Sequence, residues 1–313
     1  MKIYMKLRKK IKRLLKSNEI VYYIYTKIRY RNKSKIRDWI INNLRFIDKN
    51  KLNSIVFEEG SAYVRLQSGQ EFRYLPEYMG GLLGLEYKTG FETDDIRTLL
   101  SILPKDPVVI DVGANFGIYA VLCAQLSDNA KVHAFEPVSK TVKILYDNVI
   151  RNAVQKKITI NEVGVGEKAG ITKITSDRYA GNHFLKNDDY DGEVEQINVV
   201  SLDDYVQNKK LNRIDLIKCD VEGGELFVMK GAVNIIKKFK PMVMLEINEK
   251  WTRRLNYSSS ELINFMIQLD YKYISMSALS EKLENTNTNT NTKFHTENYL
   301  FFHMRDKINE LIN

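Results

Sequence analysis

"VVIDVGANFGIYAVL", residues 108–122, decides the fold. An apolar run of strand length ends in an acid, Asp111. Gly113, Asn115 and Gly117 follow, and then an amphipathic pattern resumes. A strand, a glycine-bearing turn and a helix in direct succession open a βα unit. The same rhythm continues outward. Strands are expected at 108–112, 131–135, 158–162, 214–219 and 241–247, with helices at 116–126, 138–152, 225–238 and 260–269. Two more strands read at 271–275 and 299–303, and a helix over 91–103 stops at Pro104 and Pro107. Alternation of this kind makes a mostly parallel sheet with helices on both faces.

Three stretches depart from it. Residues 163–200 hold short alternating segments, as in a hairpin insertion, followed by a short helix at 201–206. Residues 52–75 alternate with turn signals at Glu59-Gly60 and Ser68-Gly69, which predicts a small meander. "GGLLG" at 80–84 reads as a flexible connection, and "NTNTNTNT" at 285–292 as a surface loop without apolar residues to pack. The organisation is therefore a basic helical arm over 1–50, an accessory β segment over 51–90, and an α/β domain over 91–313.

The net charge of +9 over 313 residues is unevenly spread. Residues 1–37 carry 14 Lys or Arg against Glu19 alone, while the other 276 residues hold 34 basic and 38 acidic groups. A mildly acidic body wears a basic arm. In the arm Ile3, Leu7, Ile11, Leu14 and Leu15 repeat at helical spacing between lysines, a pattern suited to an anionic membrane surface. No apolar run reaches a membrane span of about 18 residues, and no h-region follows the basic start. Cys123 and Cys219 show neither disulfide nor metal spacing, so the expected compartment is a reducing cytoplasm, with peripheral attachment at the inner membrane face.

In a doubly wound sheet the ligand sits beyond the carboxyl ends of the strands. The turn at 111–117 is the first such end. A dinucleotide fingerprint needs glycine at its first, third and sixth positions. Counted from Gly113 those positions hold Asn115 and Ile118, and Asp111 would repel a pyrophosphate. An acid there suits a ligand with a cationic end. S-adenosylmethionine, with an ammonium and a sulfonium, meets that requirement. Gly113 and Gly117 let a ligand approach the backbone, and Asn115 orders the turn or touches the methionyl part. Glu136, at the tip of the second strand in "HAFEP", is placed to accept both ribose hydroxyls.

These segments resemble the FkbM family of S-adenosylmethionine-dependent methyltransferases. The likeness rests on "VVIDVGANFGIYA" (108–120), "VHAFEP" (132–137), "INEVGVGEKAG" (160–170), "VVSLDDY" (199–205) and "IDLIKCDVEGGELFVMKGA" (214–232). It covers roughly 90–247, and "KCDVEGGE" is its most specific run. It implies the class I methyltransferase (Rossmann-like) fold, seven strands with the last antiparallel. It also implies O-methylation of hydroxyls on sugars and secondary metabolites.

"KCDVEGGE" places Lys218, Asp220, Glu222 and Glu225 at the end of the fourth strand, and "MLEIN" places Glu246 at the end of the fifth. In the implied strand order these two ends are neighbours. Asp220 is the expected base or orienter of a hydroxyl, with Lys218 keeping it ionised and Glu222 and Glu246 as alternatives. A divalent cation bridging Asp220 and Glu246 is the metal alternative. Glu225 opens the next helix favourably. His183, in the insertion, is a further candidate base over the pocket, whereas His133 and Tyr119 read as packing residues. An acidic pocket fits a hydroxyl-bearing small molecule, glycan or glycolipid better than nucleic acid, whose phosphates the acidic body opposes. An RNA methyltransferase docked by the basic arm, and a non-catalytic binding protein of the same fold, are the rival readings.

Overall fold

Alternating residues form an antiparallel meander in the computed structural model, which describes residues 52–58, 61–66, 69–73, 91–177, 181–185, 190–284 and 297–303. The chain divides into two compact units, Met1–Thr89 and Gly90–Asn313. In the first, β1 (Leu52–Glu58), β2 (Ser61–Leu66) and β3 (Glu71–Arg73) pair in that order and bury Tyr63, Val64 and Phe72. The basic arm, the 80–84 connection and the Asn-Thr repeat lie outside the described residues.

In the second unit α1 (Phe91–Ile102) leads into β4 (Val108–Val112). Then come α2 (Ile118–Ala124), β5 (Lys131–Phe135), α3 (Ser139–Arg151) and β6 (Ile158–Asn161). The insertion is β7 (Gly164–Val165), β8 (Gly170–Thr175) and β9 (Val194–Val200), a separate three-stranded sheet in which β8 and β9 form the hairpin. After it follow α4 (Leu202–Lys209), β10 (Leu216–Cys219), α5 (Glu225–Lys230), α6 (Val233–Phe239) and β11 (Met242–Ile247). The chain closes with α7 (Glu249–Arg254), α8 (Ser259–Gln268), β12 (Tyr271–Ser275), α9 (Met276–Glu284) and β13 (Glu297–His303).

The main sheet has seven strands in the order β12-β13-β11-β10-β4-β5-β6. β13, the last strand among the described residues, runs antiparallel to both β11 and β12, while β11, β10, β4, β5 and β6 are mutually parallel. This is the class I methyltransferase sheet. The chain leaves β4 toward β5 and β6, then crosses back to β10 on its other side, so the switch point lies between β4 and β10. Ile110, Val112, Ile217, Cys219, Val243 and Leu245 from the central strands share one core with Met229, Ile236, Leu262 and Met266 from the helices. A strand buried on both faces is mostly apolar, and the buried Asp111 and Lys218 are the exceptions in β4 and β10.

Two departures have local causes. The helix expected over 225–238 is two helices. At Gly231, between them, an added Cβ would stand 2.2 Å from the Gly166 carbonyl oxygen. Asp203 of α4 then caps α6, accepting hydrogen bonds from the backbone N–H groups of Asn234 and Ile235 at 3.1 and 2.9 Å. The second helix of the domain begins at Ile118 rather than 116, because Gly117 takes φ +82°, outside helical geometry.

Candidate active site

The turn after β4 is tied to the end of β5 by three hydrogen bonds. Gly113 and Ala114 donate their backbone N–H to the Phe135 carbonyl at 3.0 and 2.9 Å. Glu136 completes the tie. Its Oε2 accepts from the Asn115 N–H and its Oε1 from the Val138 N–H, both at 3.1 Å. Burial lifts the Glu136 carboxyl to about 7, against the pull of those two N–H groups. Each oxygen keeps a lone pair for the ribose hydroxyls expected here.

Gly113, Asn115 and Gly117 all adopt left-handed backbone, at φ +73°, +50° and +82°. The space above the two glycines is filled by the protein itself. A Cβ on Gly113 would lie 1.8 Å from the Asp220 carbonyl oxygen, and one on Gly117 would lie 2.3 Å from Leu145 Cδ1. Packing on the Asp220 segment at Gly113, and on Leu145 of α3 at Gly117, is thus the reason for glycine, in place of the open approach for a ligand expected from the sequence. Asn148, not singled out by its sequence, donates its side-chain N–H to the Phe116 carbonyl at 2.8 Å and is fully buried.

Asp111 lies deeper than the rim expected of it: its exposure is 0%. The parallel register sets it beside Lys218, whose Nζ stands 3.7 Å from Oδ1. Burial raises its pKa and Lys218 opposes the rise. Lys218 and the Ala120 N–H approach Asp111, but neither of its oxygens, nor Oδ1 of Asn115, has a partner at full hydrogen-bond distance although all three are buried. Unsatisfied acceptors are costly unless a ligand supplies donors. An α-ammonium supplies three. The residues present therefore fit S-adenosylmethionine, which Asp111 and Asn115 would meet at its amino acid end and Glu136 at its ribose.

Lys218 is the hub between donor turn and acids. It is 6% exposed. Its Nζ donates to the Gly113 carbonyl at 3.1 Å and to Asp220 Oδ2 at 3.4 Å, and lies 5.2 Å from the Tyr119 ring centroid. Cys219 pairs with Leu245 across the sheet, so Asp220, just past β10, stands beside Glu246 near the end of β11. Glu246 holds its proton well above the usual range, through burial first and then the negative charges of Asp220 and Glu222. Asp220, Glu246 and Lys218 are thus brought together at one mouth. Glu222, at φ +53°, has Oε1 3.7 Å from the place of a Cβ on Gly181, so the insertion loop crosses at this point. His183 stands on that loop, buried, with Nδ1 3.0 Å from the Gly181 carbonyl and its ring against Trp251. His133 is a core residue whose Nδ1 bonds the Tyr205 hydroxyl at 2.9 Å.

Glu225 shapes the acidic turn. Its Oε1 accepts from the Val221 and Gly223 N–H groups at 3.0 and 3.2 Å, and its Oε2 from the Tyr257 hydroxyl at 3.3 Å. Tyr257 carried no sequence signal of this role. Burial lifts Glu225 to about 7 from an ordinary 4.5. The folded chain then binds this proton more readily than the unfolded chain. The stability it contributes is full at low pH and drains as pH rises from about 4.5 to about 7. Glu225→Gln removes the drain. Its melting temperature relative to the unaltered protein is expected to improve by a few degrees between about pH 5 and pH 7.5. A difference flat across that range would show that Glu225 does not titrate there.

Residues 111–273, just over half of the chain, match the family model described as Methyltransferase FkbM domain. The chain belongs to the FkbM methyltransferase family. Hexuronic acid methyltransferase AglP of Haloferax volcanii is 28% identical over 220 residues, 69% of this chain and 81% of that protein. The 31-O-demethyl-FK506 methyltransferase FkbM of Streptomyces tacrolimicus is 27% identical, over 44% of this chain and 63% of its own. The 2-O-methyltransferase NoeI of Sinorhizobium fredii is 27% identical, over 45% of this chain and 64% of its own. The chain thus spans less than two thirds of the last two. This FkbM methyltransferase uses S-adenosylmethionine as its methyl donor. Among the described residues no helix is long and apolar enough to cross a membrane, and no group of three His, Cys, Asp or Glu is placed to hold a metal ion.

Proposed function

We propose that this FkbM methyltransferase methylates a hydroxyl oxygen of a sugar, in a glycan or glycolipid. The observation that carries the reading is the meeting of Asp220, Glu246 and Lys218 immediately behind the donor turn, with the Asp220 carbonyl packed on Gly113. Bound S-adenosylmethionine supplies a methyl carbon made electrophilic by its sulfonium. Asp220 orients the acceptor hydroxyl and takes its proton as the oxygen–carbon bond forms. Lys218 balances that carboxylate from 3.4 Å. Glu246, keeping its own proton, limits the charge of the cluster. A lysine and a proton thus take the charge-balancing role that a cation bridging Asp220 and Glu246 would otherwise fill. Support for a sugar comes from the hexuronic acid methyltransferase among the relatives. Support for an oxygen acceptor comes from the two O-directed relatives.

The test is transfer of labelled methyl from the donor to a panel of methyl glycosides. Transfer is expected to at least one glycoside and to be lost with its deoxy analogue at the acceptor position. Label incorporated only into RNA, or donor binding without transfer to any glycoside, would overturn the reading. We further place the protein at the cytoplasmic face of an anionic membrane through residues 1–37. Removing them is expected to abolish co-sedimentation with vesicles containing anionic lipid while leaving transfer to a soluble glycoside intact. Unchanged sedimentation would remove the arm from membrane attachment.

A further inference from the structure

Trp251 is an aromatic side chain that none of the steps above uses. It lies in α7, half-buried, immediately beyond the strand that carries Glu246. Its backbone is fixed to the acidic turn. The Trp251 carbonyl oxygen stands 2.6 Å from the place of a Cβ on Gly223, which takes φ +97°, and its N–H donates to the Asn248 carbonyl at 3.0 Å. The indole is therefore anchored beside Glu222 and Gly223. Its ring centroid is 5.2 Å from that of His183, with the planes tilted by 35°.

Two exposed cations lie over this ring. Lys250 Nζ and the Arg254 guanidinium carbon are each 5.4 Å from its centroid. Neither forms an ion pair with a described residue, whereas their neighbour Arg253 pairs with Glu249 at 2.8 Å. The family's donor chemistry does not require them.

We propose that Trp251, Lys250 and Arg254 form an acceptor subsite for a pyranose bearing a negative charge, a carboxylate or a phosphate. This rests on the reading of the acceptor as a sugar. The indole holds the two cations against its ring at 5.4 Å and so fixes their heads beside the acidic mouth. Arginine and lysine recognise carboxylate and phosphate oxygens, arginine in bidentate fashion. The opposed charges also fix orientation. Asp220 and Glu222 repel the anionic end of the sugar, and Lys250 and Arg254 hold it over α7. A neutral hydroxyl is then turned toward Asp220. An uncharged hexose would gain nothing from the two cations.

The chain has two tryptophans, Trp39 and Trp251, so Trp39→Phe leaves Trp251 as the only indole reporter. In that background, saturated with S-adenosylhomocysteine, indole fluorescence is titrated with methyl glucoside, methyl glucuronoside and methyl glucoside 6-phosphate. At least one anionic glycoside is expected to bind about tenfold more tightly than the neutral one. The stronger of the two tells carboxylate from phosphate. A Lys250→Ala/Arg254→Ala variant should erase the preference, with donor affinity by calorimetry as its folding control. Trp251→Leu should raise the KM for the preferred glycoside about tenfold, with kcat changed far less. Equal affinity for charged and neutral glycosides, or a preference that survives loss of both cations, overturns the subsite alone. Failure of every glycoside to bind or accept methyl overturns the sugar reading and the subsite together.

Discussion

Asp220→Asn is expected to lower kcat by about two to four orders of magnitude and to leave donor affinity unchanged. The amide keeps the shape of the carboxylate and its acceptor oxygen. Lys218 keeps the Gly113 carbonyl at 3.1 Å and Asp111 at 3.7 Å. What the amide lacks is a basic oxygen that takes the acceptor proton in the transition state. Loss of that group alone accounts for the size of the effect. Calorimetry with the donor and a melting curve separate it from misfolding, since both should match the unaltered protein. Glu246→Gln is the contrast. Its amide N–H replaces the proton of Glu246, so kcat should stay within about tenfold. If Glu246→Gln falls as far as Asp220→Asn is expected to, the base is Glu246. If Asp220→Asn keeps more than about a tenth of kcat, Asp220 is not the base.

The central sheet is legible because its parallel strands are buried on both faces. Val108–Val112, Lys131–Phe135 and Leu216–Cys219 are mainly apolar runs that each hold or stop near an acid. α7 was not legible. Its sequence, EKWTRR, offers no apolar period, and its place is set by the Asn248 cap and by packing on Gly223. α9, likewise unmarked beforehand, follows β12 without a break. The split between α5 and α6 was hidden because Gly231 answers to Gly166, far away in sequence. In the site, the identity of the acids was readable but their depth was not. An aspartate ending a strand reads alike whether it faces a rim or the interior. Only the register of β4 on β10, which sets Asp111 beside Lys218, decides between them. Glu225 shows the same limit. Its position at a helix start was plain, but one of its three hydrogen bonds comes from Tyr257, 32 residues away.

Gly113→Ala is expected to abolish donor binding and to destabilise the fold by about 3 kcal/mol or more. The added methyl would meet the Asp220 carbonyl oxygen at 1.8 Å, its carbon at 2.9 Å and Val221 Cγ1 at 3.2 Å. The first two are backbone atoms, so no rotamer relieves them. Nor can either segment retreat cheaply. Gly113 is held by its N–H on Phe135 and by Lys218 on its carbonyl, and the Asp220 N–H is bonded to Val112 at 3.1 Å. A φ of +73° adds strain for any residue with a Cβ. Whichever side yields, Lys218 loses the carbonyl that positions it, and Asp111 and Asp220 lose their shared cation. The melting temperature should fall by at least ~6 °C, and titration with S-adenosylhomocysteine should show no saturable binding. Gly117→Ala separates the two sources of cost. Its clash is with the flexible end of Leu145, 2.3 Å away, so adding Leu145→Ala should recover part of the loss. No side-chain truncation should rescue Gly113→Ala, because its obstacle is main chain. Wild-type donor affinity in Gly113→Ala would mean that the turn and the acidic segment do not touch as described, and the coupling of donor site to Asp220 would fall with it.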